Sequence, residues 1–159
     1  MQKTDWIKLV LFVLVCELAG VIGGFFTASA IPAWYSTLAK PTFAPPNWVF
    51  GPVWITLYAL MGIAAYLIWE KRAKNKKVWV AMDLFSGQLI LNTTWSILFF
   101  GFRSPLYGFV CILLLWLAIA LTIRSFYAID RRAAYLLVPY LLWVSFATLL
   151  NFAIFGLNP

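Results

Sequence analysis

The chain has 159 residues, of which 64% are hydrophobic and only 11% charged, where ordinary soluble domains carry roughly a quarter charged. A water-soluble fold of this length cannot hide so much apolar surface, and the net charge of +7 does not point to nucleic acid, because the basic residues flank apolar runs and form no stripe. Histidine is absent, which removes serine–histidine and cysteine–histidine triads, histidine-ligated zinc and the commonest axial ligand of haem, so no metal site is expected.

Five runs, residues 6–28, 48–69, 78–100, 106–128 and 133–155, each reach the roughly 20 apolar residues that cross a bilayer as a helix. The expected fold class is therefore all-α, an integral membrane bundle of five transmembrane helices forming one domain over residues 1–159. The first run carries Glu17 near its midpoint, with Gly20 and Gly24 three and seven residues on. All three share one helix face, small enough for close approach in the Gly-x-x-x-Gly manner. Two readings stand: a Glu17 carboxyl hydrogen-bonded across a helix contact, or a dimer seam through Gly20 and Gly24. Lys3, Lys8 and Ala28-Ser29-Ala30 have the form of a secretory signal. The run is about twice the usual length and contains Glu17, so it is expected to be retained.

Residues 29–47 hold Pro32, Pro41, Pro45 and Pro46, which are expected to prevent regular helix through most of the segment. With Trp34 and Tyr35 suited to the membrane interface, the segment reads either as a lid packed over the bundle or as an interfacial anchor. The second run bears Trp54 and Tyr58, four apart. Residues 70–77 follow with five basic side chains among eight, a topology signal facing anionic headgroups. The third run sets Gln88, Asn92 and Trp95 on one face, with Asp83 close enough to the basic loop to reach water or a lysine. Tight turns are expected at 101–105 and 129–132. The fifth run repeats Trp143, Ala147 and Asn151 at spacings of four, and its Pro139 should kink the helix. Cys16 and Cys111 both fall inside runs and read as small core residues.

With the N-terminus cytoplasmic, ten of the twelve basic residues lie on the inner side, leaving Lys40 and Arg103 outside. That positive-inside bias orients the chain N-terminus in and C-terminus out, in the cell (inner) membrane. Five spans do not divide into two equal halves, which argues against inverted repeats.

Amides are expensive toward lipid, so Gln88, Asn92 and Asn151 should point inward. Together with Trp54, Tyr58, Trp95 and Trp143 they would line a hollow suited to a large, planar, mostly apolar ligand. The competing reading is that the rings fill the bundle and the amides fasten helices together.

Several separated motifs resemble the translocator protein family, also called tryptophan-rich sensory protein or peripheral-type benzodiazepine receptor. They are Trp34-Tyr35, Lys40-Pro41-Thr42-Phe43-Ala44-Pro45-Pro46-Asn47-Trp48, Gly51-Pro52-Val53-Trp54 with Leu57-Tyr58 and Met61-Gly62, Gly87-Gln88-Leu89 with Leu91-Asn92, Phe99-Phe100-Gly101, and Pro139-Tyr140-Leu141 with Trp143 and Phe146-Ala147-Thr148. The resemblance runs from the first span to Asn151. It implies a five-helix bundle, usually a homodimer, that binds porphyrins, haem-related tetrapyrroles and benzodiazepine-type compounds and requires no cofactor. The implied pocket falls on Tyr35, Trp54, Tyr58, Asn92, Trp95, Trp143 and Ala147, beside Gln88 and Phe146. In some members tryptophans matching Trp54 and Trp143 are linked to oxidative porphyrin breakdown, which would make these two the catalytic residues. The tyrosine and cation of the animal sterol pattern are missing from residues 151–159, which points to a bacterial-type member without sterol transport. Three functions follow: a receptor or carrier of tetrapyrroles, a porphyrin-degrading enzyme, and a stress-response partner that signals through its dimer seam.

Overall fold

In lipid a backbone must satisfy its own hydrogen bonds, and a helix does so within one segment. The computed structural model describes residues 3–158, with side chains from Asp5 onward, and contains helices and no strand among them. They are α1 (Lys3–Ala33), α2 (Phe50–Trp69), α3 (Lys77–Ser96), α4 (Pro105–Tyr127), α5 (Arg131–Leu136) and α6 (Val138–Leu157), with short 3-10 turns at Tyr35–Thr37 and Asn47–Val49. A π turn, Ile97–Gly101, continues α3.

Among the described residues four segments, not five, are long and apolar enough to cross a membrane on their own composition: Asp5–Ala33, Asn47–Trp69, Pro105–Tyr127 and Arg131–Leu157. The third expected span, 78–100, is helical but falls short. Asp83, Gln88, Asn92 and two threonines dilute it, and the bundle compensates by burying both amides to 1% exposure. The other helices turn large apolar side chains outward; on α1 these include Val10, Leu14, Leu18, Val21 and Phe25. Such an apolar exterior requires an apolar surrounding.

The first helix exceeds its expected length. Pro32 does not stop α1, which continues to Ala33, because a proline in the last turn removes only one hydrogen bond near a frayed end. The fifth span breaks at Leu137, one residue before α6 opens with Pro139 in its first turn. Asp130 caps α5 by accepting from the Arg132 backbone N–H at 2.9 Å. The Arg132 side chain also donates to it, at 3.0 Å. These hydrogen bonds, with Lys71 at 3.8 Å, hold the Asp130 carboxyl below its ordinary range.

Helices α1 and α2 pack most tightly low in the bundle. A Cβ on Gly62 would lie 2.5 Å from the Val13 Cα, and Phe12 packs on Tyr66 and Trp69. This end also carries the charges. Lys8 pairs with Asp5 and Glu70, and Arg72 with Glu70. Toward the other end the two helices diverge, and residues 34–46 lie across the gap. Tyr35 packs on Phe99 and Phe100, Trp34 on Phe99, and Phe43 on Phe146. Asn158 fastens this loop: its Oδ1 accepts from the Ala39 N–H and its Nδ2 donates to the Ala39 carbonyl, both at 3.0 Å. Asn158→Ala should leave the helices intact and free the loop. Limited proteolysis between residues 36 and 46 is expected to speed up several-fold, and an unchanged rate would deny the clasp.

Candidate functional site

Two polar networks occupy the centre of the bundle. The Tyr58 hydroxyl donates to Asn92 Oδ1. Asn92 Nδ2 donates to the Tyr140 oxygen at 2.7 Å, and Tyr140 donates to Gln88 Oε1 at 2.9 Å. The chain Tyr58–Asn92–Tyr140–Gln88 thus fastens α2, α3 and α6. A second link runs from the Trp95 indole N–H to Asn151 Oδ1 at 3.2 Å, and from Asn151 Nδ2 to the Pro105 carbonyl at 2.9 Å. A buried amide left unpaired is costly, so these residues sit inward with their groups consumed by one another.

The open space lies elsewhere. A cavity of about 320 Å³ sits in the wedge between α1 and α2, closed behind by the end of α3 and above by the loop. Its aromatic wall consists of Tyr35, Phe50, Trp54, Tyr58, Trp95 and Phe100. The facing wall is α1, through Glu17, Gly20, Val21, Gly24, Thr27 and Ile31. Val21 and Ile55 also border it, at 67% and 62% exposure, so the hollow opens sideways, between α1 and α2, onto the apolar exterior of the bundle.

Of the residues singled out for ligand contact, Tyr35, Trp54, Tyr58 and Trp95 line this cavity. Gln88 and Asn92 stand behind the Tyr58 ring as its hydrogen-bonded support. Trp143, Phe146 and Ala147 on α6 lie outside it. Trp143 is one ring away, 6.0 Å from Phe50 between centroids and 5.6 Å from Phe146. Its indole N–H is buried and has no hydrogen-bond partner among the described residues. Trp54 bridges the two regions, 5.6 Å from Tyr58 and 6.2 Å from Tyr140.

Glu17, Gly20 and Gly24, read from the sequence as a packing or seam face, all border the cavity. Gly20 lies directly on Tyr58, and a Cβ there would come within 2.4 Å of the ring. Around Gly24 nothing stands within 4 Å of a Cβ position. The spacing that marks a small helix face is the same whether that face meets a helix or an empty volume. This is why α1, with Phe50 and Phe100, was not legible as a cavity wall. No group of three or more histidine, cysteine, aspartate or glutamate side chains able to hold a metal occurs among the described residues.

Against known proteins, residues 12–157 match the model of the TspO/MBR family. The chain is similar to the tryptophan-rich protein TspO of Chlorobaculum tepidum, 45% identical over 96% of this chain and 97% of the relative. It is also similar to that of Archaeoglobus fulgidus, 47% identical over the same shares. The human translocator protein is 39% identical over 96% of this chain and 91% of its own.

Proposed function

Because the chain belongs to the TspO/MBR family of membrane proteins, we propose that it is a five-span intramembrane receptor or carrier that binds porphyrins and related tetrapyrroles between α1 and α2. The observation that supports this most is the wall of six aromatic rings against a helix face cleared of side chains at Gly20 and Gly24. Flat π-systems stack on such walls. The volume is near the lower end of the roughly 300–1,000 Å³ of ligand sites, so a macrocycle enters edge first and keeps part of its rim in the opening toward lipid. The Lys40 ammonium, 4.8 Å above the Tyr35 ring at the outer end, suits the carboxylate edge of the ligand. No metal or resident cofactor is required, and a homodimer in the inner membrane, N-terminus cytoplasmic, is the assembly in which we place it.

Protoporphyrin titrated into the protein in lipid nanodiscs, read by tryptophan quenching, tests the proposal. Trp54→Ala should weaken binding about tenfold, the scale of one lost aromatic stack. An affinity unchanged by Trp54→Ala and by Tyr35→Ala would refute the site.

A second reading, oxidative porphyrin breakdown with dioxygen as oxidant, draws on the placement of Trp54 at the cavity wall. It differs in its demands on Trp143, which is screened from the hollow by Phe50. Illuminating bound protoporphyrin in the wild type, Trp54→Phe and Trp143→Phe separates the two: product formation unchanged from the wild type in both variants rejects the tryptophan mechanism and leaves binding as the function.

A further inference from the structure

The cavity is electrically lopsided. The α1 residues along it run from Glu17 to Ile31, a length of about 21 Å at 1.5 Å per residue. Glu17 and Tyr58 lie at the deep end, Tyr35 and Asn47 at the outer end. Glu17 is the only charged residue on the lining, and among the described residues its carboxyl makes no hydrogen bond or ion pair. Three polar groups of the wall are already committed: the Thr27 hydroxyl donates to the Gly23 carbonyl at 3.1 Å, the Tyr58 hydroxyl to Asn92, and the Trp95 indole to Asn151 at 3.2 Å. The nearest cation on the same helix, Lys8, is nine residues away, about 13 Å along the axis, and engaged with Asp5 and Glu70. The remaining cations lie at helix ends or in the turns between them. A carboxyl placed near the middle of an apolar span is costly and calls for a partner, and none pairs with it among the described residues.

We propose that the cavity takes planar amphiphiles bearing a protonated nitrogen, with Glu17 as the anion that receives it. A carboxylate and an ammonium meeting there form a charge-assisted hydrogen bond with no net charge left in the apolar hollow. Beside it the face of Tyr58, and above it those of Trp54 and Trp95, attract an aromatic cation through their ring quadrupoles. An anion is repelled from this end and drawn to Lys40 at the other, so a ligand carrying both charges enters nitrogen first. The inference rests on the wedge between α1 and α2 being the ligand site, and it adds the sign of the charge preferred at the deep end.

Two dyes of nearly the same shape provide the test: 9-aminoacridine, protonated at neutral pH, and acridine, neutral there. Each is titrated into the full-length protein in phosphatidylcholine nanodiscs, with protein-free discs subtracting lipid partition. The wild-type protein should prefer the cation by about tenfold or more, the ratio one charge-assisted hydrogen bond sustains. In Glu17→Gln that ratio should collapse to within about twofold on loss of the bond, while Glu17→Asp, which keeps the carboxylate, retains it. A wild-type ratio near one overturns the proposal without any variant, as does a preference that survives Glu17→Gln. If both dyes bind equally and protoporphyrin also binds, only the role of Glu17 fails. If neither dye nor protoporphyrin binds, the cavity fails as a ligand site and this inference with it.

Discussion

Leucine at position 24 is expected to lower protoporphyrin affinity by about tenfold or more, comparable to losing one aromatic stack, while the protein still folds. Nothing lies within 4 Å of a Cβ built on Gly24, so the new side chain starts without a clash. Helical leucines lean toward the helix N-terminus, which carries this one over Gly20 and into the hollow. Four added carbons then compete with the ligand for about 320 Å³. Leucine at Gly20 is a poor control, since the Tyr58 ring already fills that space at 2.4 Å and would be pushed off Asn92. Tryptophan quenching by protoporphyrin and a thermal melt, both in nanodiscs, check the prediction. Full affinity with a shifted oligomeric state would instead return Gly24 to a seam between subunits.

Gly62→Ala should be the most destabilising single methyl the chain can receive on α2. Its Cβ would lie 2.5 Å from the Val13 Cα, 2.8 Å from the Val13 nitrogen and 3.0 Å from the Phe12 carbonyl carbon. All three are main-chain atoms, so no rotamer change relieves the clash and the two helices must part. Overpacking of this kind costs about 1–3 kcal/mol. The contact is also the fulcrum below the cavity, so parting the helices there alters the wedge above it. A melting temperature several degrees lower, with ligand affinity changed as well, is the expected outcome. A variant that melts with the wild type would show that the crossing is looser than described. Gly51→Ala, with open space around it, is the matched control for the stability loss.

The helices were legible because apolar runs of span length are interrupted only by prolines and charges. Two boundaries were not. Pro32 reads as a stop, yet stands where α1 has almost ended, and the sequence does not reveal that the helix tolerates it. The third run counts as a span by its length although Asp83, Gln88 and Asn92 lie within it, and its own composition falls short; tertiary burial, not hydropathy, carries that helix. At the site, the stripe argument brought Tyr58, Asn92 and Gln88 to one place but missed Tyr140, which receives Asn92 and donates to Gln88. It also placed the empty volume among α2, α3 and α6, where hydrogen bonds and rings fill the space. Periodicity tells which residues share a face and says nothing about whether that face meets atoms or a void. The location of the void depended on Gly62 drawing α1 onto α2 low in the bundle, a contact between backbones that leaves no mark in a side-chain pattern.

The lateral gap flanked by Val21 and Ile55 sets what concentration the binding equilibrium senses. A hydrophobic compound reaches this hollow from the bilayer, where it has already accumulated, so occupancy follows moles of compound per mole of phospholipid and not its aqueous molarity. Two compounds of equal intrinsic fit will therefore rank by their partition coefficients, and the same protein will give different apparent dissociation constants in small and large discs.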